Sequence, residues 1–169
     1  MAETLFDFSR PDDAALFEPV NDGVMGGTSS SRLVYRGGFI HFEGTLSLGQ
    51  GGGFASVRTR IKEVDLSAFE GLSLRFRGDG KVYQLRLQTP AADVFYAAEF
   101  EALPEWRTLH MPFGSFLPVY RGQPVQDAPE INLTRIVSFG LMISGAQAEA
   151  GAFGLELASL DAYTKSERP

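Results

Sequence analysis

Alternation of apolar and polar residues is the feature that most constrains the fold of this chain. In GLSLRFRGDGKVYQLRLQT, from Gly71 to Thr89, apolar residues occupy every second position on both sides of GDG. A period of two is typical of a strand with one buried face, and GDG supplies residues that tolerate a positive φ. This stretch therefore predicts a β-hairpin with its turn at Asp79.

Similar short runs recur along the chain, separated by glycine, proline and acidic residues. They are Phe39–Leu48, Phe54–Ile61, Val94–Phe100, Arg107–Met111, Ile136–Ser144 and Phe153–Leu160. Several short strands at this spacing predict a sandwich of two sheets or a barrel. Short helical turns are expected at Pro11–Phe17 and Leu66–Phe69. The proline-rich segment Pro112–Leu133 is expected to cross the outside of the sandwich as an ordered loop.

Length, charge and cysteine content limit the functional classes. The 169 residues suit one domain over 1–169, with a core of about 6–163 and a frayed C-terminal tail. A net charge of −6 argues against nucleic acid as a partner. The absence of cysteine excludes disulfides and thiolate sites. No signal peptide, transit peptide or membrane-spanning stretch is visible, so a cytoplasmic location is expected for a bacterial-type protein.

Two glycine-rich runs raise the question of a nucleotide site. They are VNDGVMGGTSSS, from Val20, and LGQGGGFASVRTR, from Leu48. Neither has the lysine and following helix of a phosphate-binding loop, and neither has the glycine spacing of a dinucleotide site. We therefore predict no cofactor. Glycine explains the freedom of these loops, but not why Asn21, Asp22 and Met25 are crowded into the first one.

Groups suited to catalysis or metal binding are few. His41 and His110 are the only histidines, and nothing in the sequence places either beside an activated serine and a carboxylate. Spacing alone does not pair the glutamates as a hydrolase would require. We predict no enzymatic activity and no metal site. Calcium at Asn21, Asp22 or Asp79 stays an alternative, since loop carboxylates and carbonyls suit that ion.

Arginines in the middle of the chain form the most informative polar pattern. The polar residues that alternate with apolar ones are Arg58, Arg75, Arg77, Gln84, Arg86 and Gln88. If their strands are neighbours, one sheet face carries guanidinium and amide groups suited to bidentate contact with carboxylate or phosphate. The alternative is that these arginines pair with the chain's own carboxylates or lie on a solvated face.

A proline-bracketed loop, FLPVYRGQPV, adds two further candidates. Tyr120 and Arg121 in this loop are expected to be exposed, and both residue types are frequent at the centre of interfaces. Trp106, a short distance upstream, is expected to pack in the core beneath the loop.

Five motifs together resemble a known family. VNDGVMGGTSSS, GGGFASVRT, LRFRGDGKVYQLRLQT, PFGSFLPVYRG and IVSFGLMISGAQAEAGAFGLEL follow one another between about Phe6 and Tyr163. In this order they resemble the complex I intermediate-associated proteins. The resemblance implies an all-β fold, a galactose-binding-like jelly roll of two antiparallel sheets. It also implies an assembly factor for respiratory NADH:ubiquinone oxidoreductase that acts without known catalysis.

We therefore predict a non-enzymatic binding module that assists the assembly of a larger protein complex. The predicted partner is a respiratory-complex subunit or another assembly intermediate. The predicted surface determinants are Asn21, Asp22, Met25, Arg58, Arg75, Arg86, Tyr120 and Arg121. The alternative is a carbohydrate-binding or small-ligand module, calcium-assisted or not. Its candidate aromatic platforms are Tyr83, Tyr96, Trp106 and Tyr120.

Overall fold

Two antiparallel β-sheets pack face to face in a computed structural model of the chain. The structure describes residues 3–21, 29–47, 53–59, 63–90, 94–120, 123–145 and 149–164. Within these ranges the strands are β1 Glu3–Asp7, β2 Phe17–Pro19, β3 Ser30–Arg36, β4 Phe39–Leu46, β5 Phe54–Thr59, β6 Gly71–Gly78, β7 Val82–Gln88, β8 Phe95–Glu101, β9 Arg107–Pro112, β10 Leu117–Tyr120, β11 Gln123–Pro124, β12 Ser138–Ser144 and β13 Gly151–Tyr163. The remaining elements are a helix, α1 Pro11–Ala14, and a 3₁₀ turn at Phe113–Ser115.

The strands divide into two sheets that confirm the all-β sandwich. Sheet A has the order β3-β4-β13-β6-β9, and β1 also pairs with β13. Sheet B has the order β11-β10-β8-β7-β12-β5-β2. Most strands are followed in sequence by a strand that is not their neighbour in the sheet, which is the topology expected of a jelly roll rather than of consecutive hairpins.

Aromatic side chains join the two sheets across the core. The Phe6 ring of sheet A lies 5.4 Å from the Phe139 ring of sheet B, measured between centroids. A second such contact, 4.7 Å between centroids, joins Phe76 on β6 to Phe100 on β8. Burial of large aromatic side chains supplies much of the stability of a core of this kind. The polar residues that alternate with these buried ones are consequently directed to the outer faces of the sandwich.

The strand phase predicted from Gly71 to Thr89 is confirmed, but the predicted hairpin is wrong. In β7 the buried residues alternate with half-buried polar ones, as the sequence indicates. However, β6 pairs with β13 and β9 in sheet A, whereas β7 pairs with β8 and β12 in sheet B. The chain therefore crosses from one sheet to the other at Asp79 and Gly80. Alternation indicates that one face of a strand is buried, but it does not indicate which other strand pairs with it.

The segment Pro112–Leu133 also differs from the expected ordered loop. Its residues Leu117–Tyr120 form β10, which pairs with β8 and extends sheet B. Pro118 inside this short strand hides its alternation. At Leu66–Phe69 the structure has a single turn closed by a 3.0 Å hydrogen bond from Phe69 N to Leu66 O.

Asp79 organises the crossover between the sheets. Its Oδ2 accepts a 3.0 Å hydrogen bond from the Tyr83 hydroxyl and a 2.9 Å bond from the Gly154 backbone N–H. Its Oδ1 accepts from the Lys81 N–H at 3.1 Å, and Gly80 turns the chain with φ of 85°. Burial and the adjacent Asp79 carboxylate raise the pKa of the Tyr83 phenol far above its usual range. Asp79 therefore uses its oxygens within the fold, which makes it a poor calcium ligand.

The Asp79→Ala substitution is expected to lower the free energy of unfolding by about 2 kcal/mol, because it leaves the buried Tyr83 hydroxyl without an acceptor. Tyr83→Phe removes the hydroxyl group itself, so no buried donor is left without an acceptor. The expected loss in the free energy of unfolding is therefore smaller, about 1 kcal/mol. Urea denaturation of both variants measures the difference. An Asp79→Ala loss no larger than that of Tyr83→Phe would contradict this role for Asp79.

Candidate functional site

The outer face of sheet B brings together two of the predicted site residues. Arg58 on β5 and Arg86 on β7 lie on either side of Gly140 on β12, which pairs with both. Strand phase places them there, because Val57 and Leu85, the residues preceding each arginine, are buried in the core. We call this surface the Arg58–Arg86 face. Its outward residues include Arg58, Gln84, Arg86, Gln88, Phe95, Gly140 and Met142, and also Phe54, Glu18 and Glu99, which lie in the same phase.

Gly140 forms a floor without a side chain between the two arginines. A Cβ atom added there would lie 3.2 Å from the Val57 carbonyl oxygen and 3.3 Å from the Arg58 Cβ. Its backbone does not need a positive φ, so the close approach of β5 is the structural reason for glycine. The result is a gap on the face, bordered by two guanidinium groups.

Phe95 supports both guanidinium groups from below. The Cζ atom of Arg86 lies 4.3 Å from the centroid of the Phe95 ring, and that of Arg58 lies 5.8 Å from it. The Arg86 Nη1 also donates to the Met142 Sδ at 3.4 Å. These contacts hold the cations by cation–π attraction and restrict their rotation.

Arg86 is a desolvated cation without an anionic partner. Burial, and secondarily the neighbouring Arg58 charge, lower the pKa of Arg86 to about 10. It consequently remains protonated at neutral pH. Its Nε is buried and has no hydrogen-bond acceptor, and the Oε1 of Gln84 beside it is also buried without a partner. Both atoms lack the hydrogen bonds that buried polar groups normally make.

Other arginines of the chain have carboxylate partners. Arg32 and Arg36 both pair with Glu43, and Arg135 pairs with Glu63 at 2.6 Å. Among the residues that the structure describes, neither Arg58 nor Arg86 forms an ion pair with a carboxylate. Within this described part, both guanidinium groups are therefore held without an ion pair, although Glu18 lies opposite Arg58 and Glu99 lies opposite Gln84 in the strand register.

Arg75 and Arg77 do not share this face, so the predicted single stripe of arginines is wrong. Both lie on the outer face of sheet A, because β6 belongs to that sheet. Arg77 Nε donates to Glu156 Oε2 at 2.6 Å. Arg75 Nη1 donates to the Thr108 hydroxyl at 3.3 Å. The chain crosses sheets after Gly78, which separates these two arginines from Arg86.

Trp106 was predicted to pack in the core, but it also lies on the outer face of sheet A. It is half-buried, packs edge-on against Phe39 with 5.2 Å between ring centroids, and has the Arg77 Cζ 4.7 Å from its own centroid. Two of the predicted sugar platforms are wrong as well, since Tyr83 and Tyr96 are core residues with 0% and 2% exposure.

Two further predicted determinants, Asn21 and Tyr120, lie apart from the arginine pair. Asn21 Oδ1 accepts hydrogen bonds from the Ser56 N–H at 3.0 Å and the Ser31 hydroxyl at 2.6 Å, and so joins β5 to β3 of the other sheet. Tyr120 lies at the opposite edge of sheet B, at the end of β10, and is 45% exposed. The other three, Asp22, Met25 and Arg121, lie outside the described residues.

Phe95, Gly140 and Met142 of this face were not singled out from the sequence. Phe95 precedes the buried Tyr96 on β8 and therefore occupies an outward position, where polar residues are expected. An aromatic residue at an outward position is the sequence signal that could have identified it. Gly140, a glycine inside an otherwise apolar strand, indicated close approach of a neighbouring backbone.

Both histidines have structural contacts on sheet A. The His41 Nε2 lies 3.2 Å from the Arg36 carbonyl oxygen, and the His110 ring packs edge-on against Tyr163 with 4.8 Å between centroids. Within the described ranges, no three histidine, aspartate or glutamate side chains are grouped to hold a metal ion. Nor does any helix in the described part have the length and apolar character needed to cross a membrane.

Comparison with known proteins identifies the family. Residues 6–157 match the family model described as Complex I intermediate-associated protein 30 (CIA30). The chain belongs to this family. The resemblance inferred from the five sequence motifs is thereby confirmed.

Two relatives and one solved structure show the range of similarity. An uncharacterised protein of Schizosaccharomyces pombe is 31% identical over 89% of this chain and 78% of its own length. The Drosophila melanogaster protein named Complex I intermediate-associated protein 30, mitochondrial, is 25% identical over 92% of this chain but only 60% of its own length. In fold, the chain is similar to the family 11 carbohydrate-binding module of Clostridium thermocellum, solved with a β-1,3-1,4-mixed-linked tetrasaccharide. The TM-score is 0.68, at 15% identity over 96% of this chain and 95% of that one.

An Arg86→Met substitution is expected to raise the free energy of unfolding by about 1 kcal/mol, because it replaces a desolvated, unpaired cation with an apolar side chain of similar length. The loss of cation–π attraction to Phe95 offsets part of this gain. Thermal and urea denaturation at neutral pH measure the change, with Arg107→Met, an exposed arginine on sheet A, as the matched control. If the Arg86→Met variant is less stable than wild type, Arg86 stabilises the fold, and this prediction is wrong.

Proposed function

We propose that this chain is a binding module that assists the assembly of a protein complex, and that its partner is an intermediate of respiratory NADH:ubiquinone oxidoreductase. The observation that carries the proposal is the pair of half-buried guanidinium groups without carboxylate partners on the Arg58–Arg86 face. A partner that supplies an anionic group there compensates their charge.

The arrangement of the face supports protein recognition. Arginine is among the residue types that dominate the energy of interfaces, and its planar fork forms two parallel hydrogen bonds with a carboxylate. Phe95 and Met142 hold the Arg86 side chain in position before any partner arrives, which lowers the entropy lost on binding. The negative net charge elsewhere on the chain disfavours other docking positions for an acidic partner.

Family membership supports the class of partner. The Drosophila relative is named as a complex I intermediate-associated protein. This chain spans only 60% of the length of that relative. We therefore propose the same class of partner, a complex I intermediate, for the part that the two chains share.

Affinity capture from cells that natively produce the chain tests this proposal. The tagged wild-type protein is expected to capture subunits of NADH:ubiquinone oxidoreductase from a mild detergent extract. The Arg58→Ala/Arg86→Ala double variant is expected to capture about tenfold less, because both interface cations are lost. Quantitative mass spectrometry measures the captured subunits.

The matched control is Arg10→Ala/Arg107→Ala, which removes two exposed charges away from the face and is expected to behave as wild type. The proposal fails if these subunits are absent from the wild-type capture. The site assignment fails if both double variants capture equal amounts.

Carbohydrate binding is the second candidate function. It has the support of the shared fold with a module solved in complex with a tetrasaccharide. The amide side chains of Gln84 and Gln88 on the Arg58–Arg86 face also suit hydroxyl groups. Against it, the Phe95 ring has both the Arg86 and the Arg58 guanidinium groups over it and does not offer a free stacking surface.

If protein recognition is the function of this face, the mixed-linked tetrasaccharide is expected to leave the melting temperature of the protein unchanged at millimolar concentration. Differential scanning fluorimetry with and without calcium measures this, and Gln84→Ala serves as the site variant. A saturable rise in melting temperature that Gln84→Ala removes would establish the carbohydrate candidate instead.

A further inference from the structure

We infer that the Arg58–Arg86 face binds an extended peptide segment through one carboxylate side chain and one apolar side chain, the first between the two arginines and the second on strand β10. This inference deepens the proposed function, since it specifies the chemistry of the partner segment that the same face receives. It adds the exposed Leu117 and the half-buried Val119 to the site.

The register of sheet B places the cationic and apolar residues in one row. Leu117 pairs with Ala97, Ala97 with Arg86, Arg86 with Gly140, and Gly140 with Arg58. Neighbouring strands lie about 4.8 Å apart, so the backbones of Leu117 and Arg86 are separated by about 10 Å, as are those of Arg86 and Arg58. Along this row the surface changes from apolar at β10 to cationic at β7 and β5, and the row ends at Glu18 on β2, which pairs with Arg58.

The cationic end of the row suits a single carboxylate. Both guanidinium groups lie over the ring of Phe95, and the gap above Gly140 separates the strands that carry them. A carboxylate placed there accepts hydrogen bonds from two planar forks and reduces the repulsion between the two cations.

The apolar end of the row is open to a partner. Leu117 is 62% exposed, one of the most exposed large apolar side chains in the described part of the chain. Val119, two residues further along β10 and in the same phase, is half-buried and pairs with Phe95. Ala97 lies between Leu117 and Arg86 and has too small a side chain to obstruct a ligand that extends from one to the other.

An extended peptide matches the spacing of these two ends. A strand advances about 3.3 Å per residue and directs alternate side chains to the same side, so side chains four residues apart face the same surface at a separation of about 13 Å. Leu117 and Gly140 are three strand spacings apart, about 14 Å, so a carboxylate and an apolar side chain four residues apart reach the position between the arginines and Leu117 together. A neutral saccharide provides no anion to compensate the two arginines.

Side-chain NMR of the intact protein tests the inference directly. The probe is the acetylated and amidated peptide Ser-Leu-Ser-Ser-Ser-Glu-Ser, titrated at millimolar concentration and constant ionic strength. Saturable shifts are expected for the Nε–H signals of Arg58 and Arg86 and for the methyl signals of Leu117 and Val119. A matched probe with glutamine in place of glutamate is expected to bind about tenfold more weakly, because a charged hydrogen-bond partner is lost.

A second probe and three variants locate the two contacts. With alanine in place of leucine, the peptide is expected to keep the arginine shifts and to lose the methyl shifts. Arg86→Lys keeps the charge without the planar fork, and about tenfold weaker binding of the glutamate probe is expected. Gly140→Val fills the gap and is expected to reduce binding similarly, whereas Arg10→Ala/Arg107→Ala is expected to leave it unchanged.

The inference is overturned if the glutamate and glutamine probes bind wild-type protein equally, or if the glutamate probe causes no saturable shift at Arg58 and Arg86. This comparison needs no variant, so a misfolded Gly140→Val protein does not affect it. Probe binding without capture of respiratory subunits supports the peptide chemistry and overturns the proposed partner. Arginine-dependent capture with equal probe binding supports the partner and overturns the peptide chemistry.

Discussion

Face-to-face packing of two sheets through an aromatic core is the constraint on which the rest of this structure depends. Contacts such as Phe6 with Phe139 and Phe76 with Phe100 require each strand to direct alternate residues inward. The intervening residues are thereby directed outward and accumulate as two separate polar surfaces, one on each sheet. The outward position of every candidate binding residue on these strands follows from this division.

The crossover at Asp79 decides which surface each arginine occupies. Arg75 and Arg77 precede it and lie on sheet A, and Arg86 follows it and lies on sheet B beside Arg58. Hydrogen bonds from Tyr83 and Gly154 to the Asp79 carboxylate hold the crossover against β13. One short turn thus separates arginines that are close in sequence and leaves a pair, not a row of four, on the candidate face.

The arginines on the two outer faces differ in whether a carboxylate pairs with them. Arg77 on sheet A has Glu156 as an ion-pair partner and stacks against Trp106, so its charge is compensated within the fold. Arg86 on sheet B is partly desolvated against Phe95 and Met142 and keeps its charge without a carboxylate. A cation in this state lowers the stability of the free protein and strengthens the attraction for an incoming anion. This tension between stability and binding is typical of functional sites.

The sequence alone determined the all-β class, the strand phases and the family, because alternation and local motifs are properties of neighbouring residues. It correctly placed Arg58 and Arg86 on outward positions for the same reason. Tertiary structure alone decided that Arg75 belongs to the other sheet and that Phe95 and Gly140 complete the face. Strand pairing joins residues far apart in the chain, and a period of two reads the same whichever sheet a strand enters.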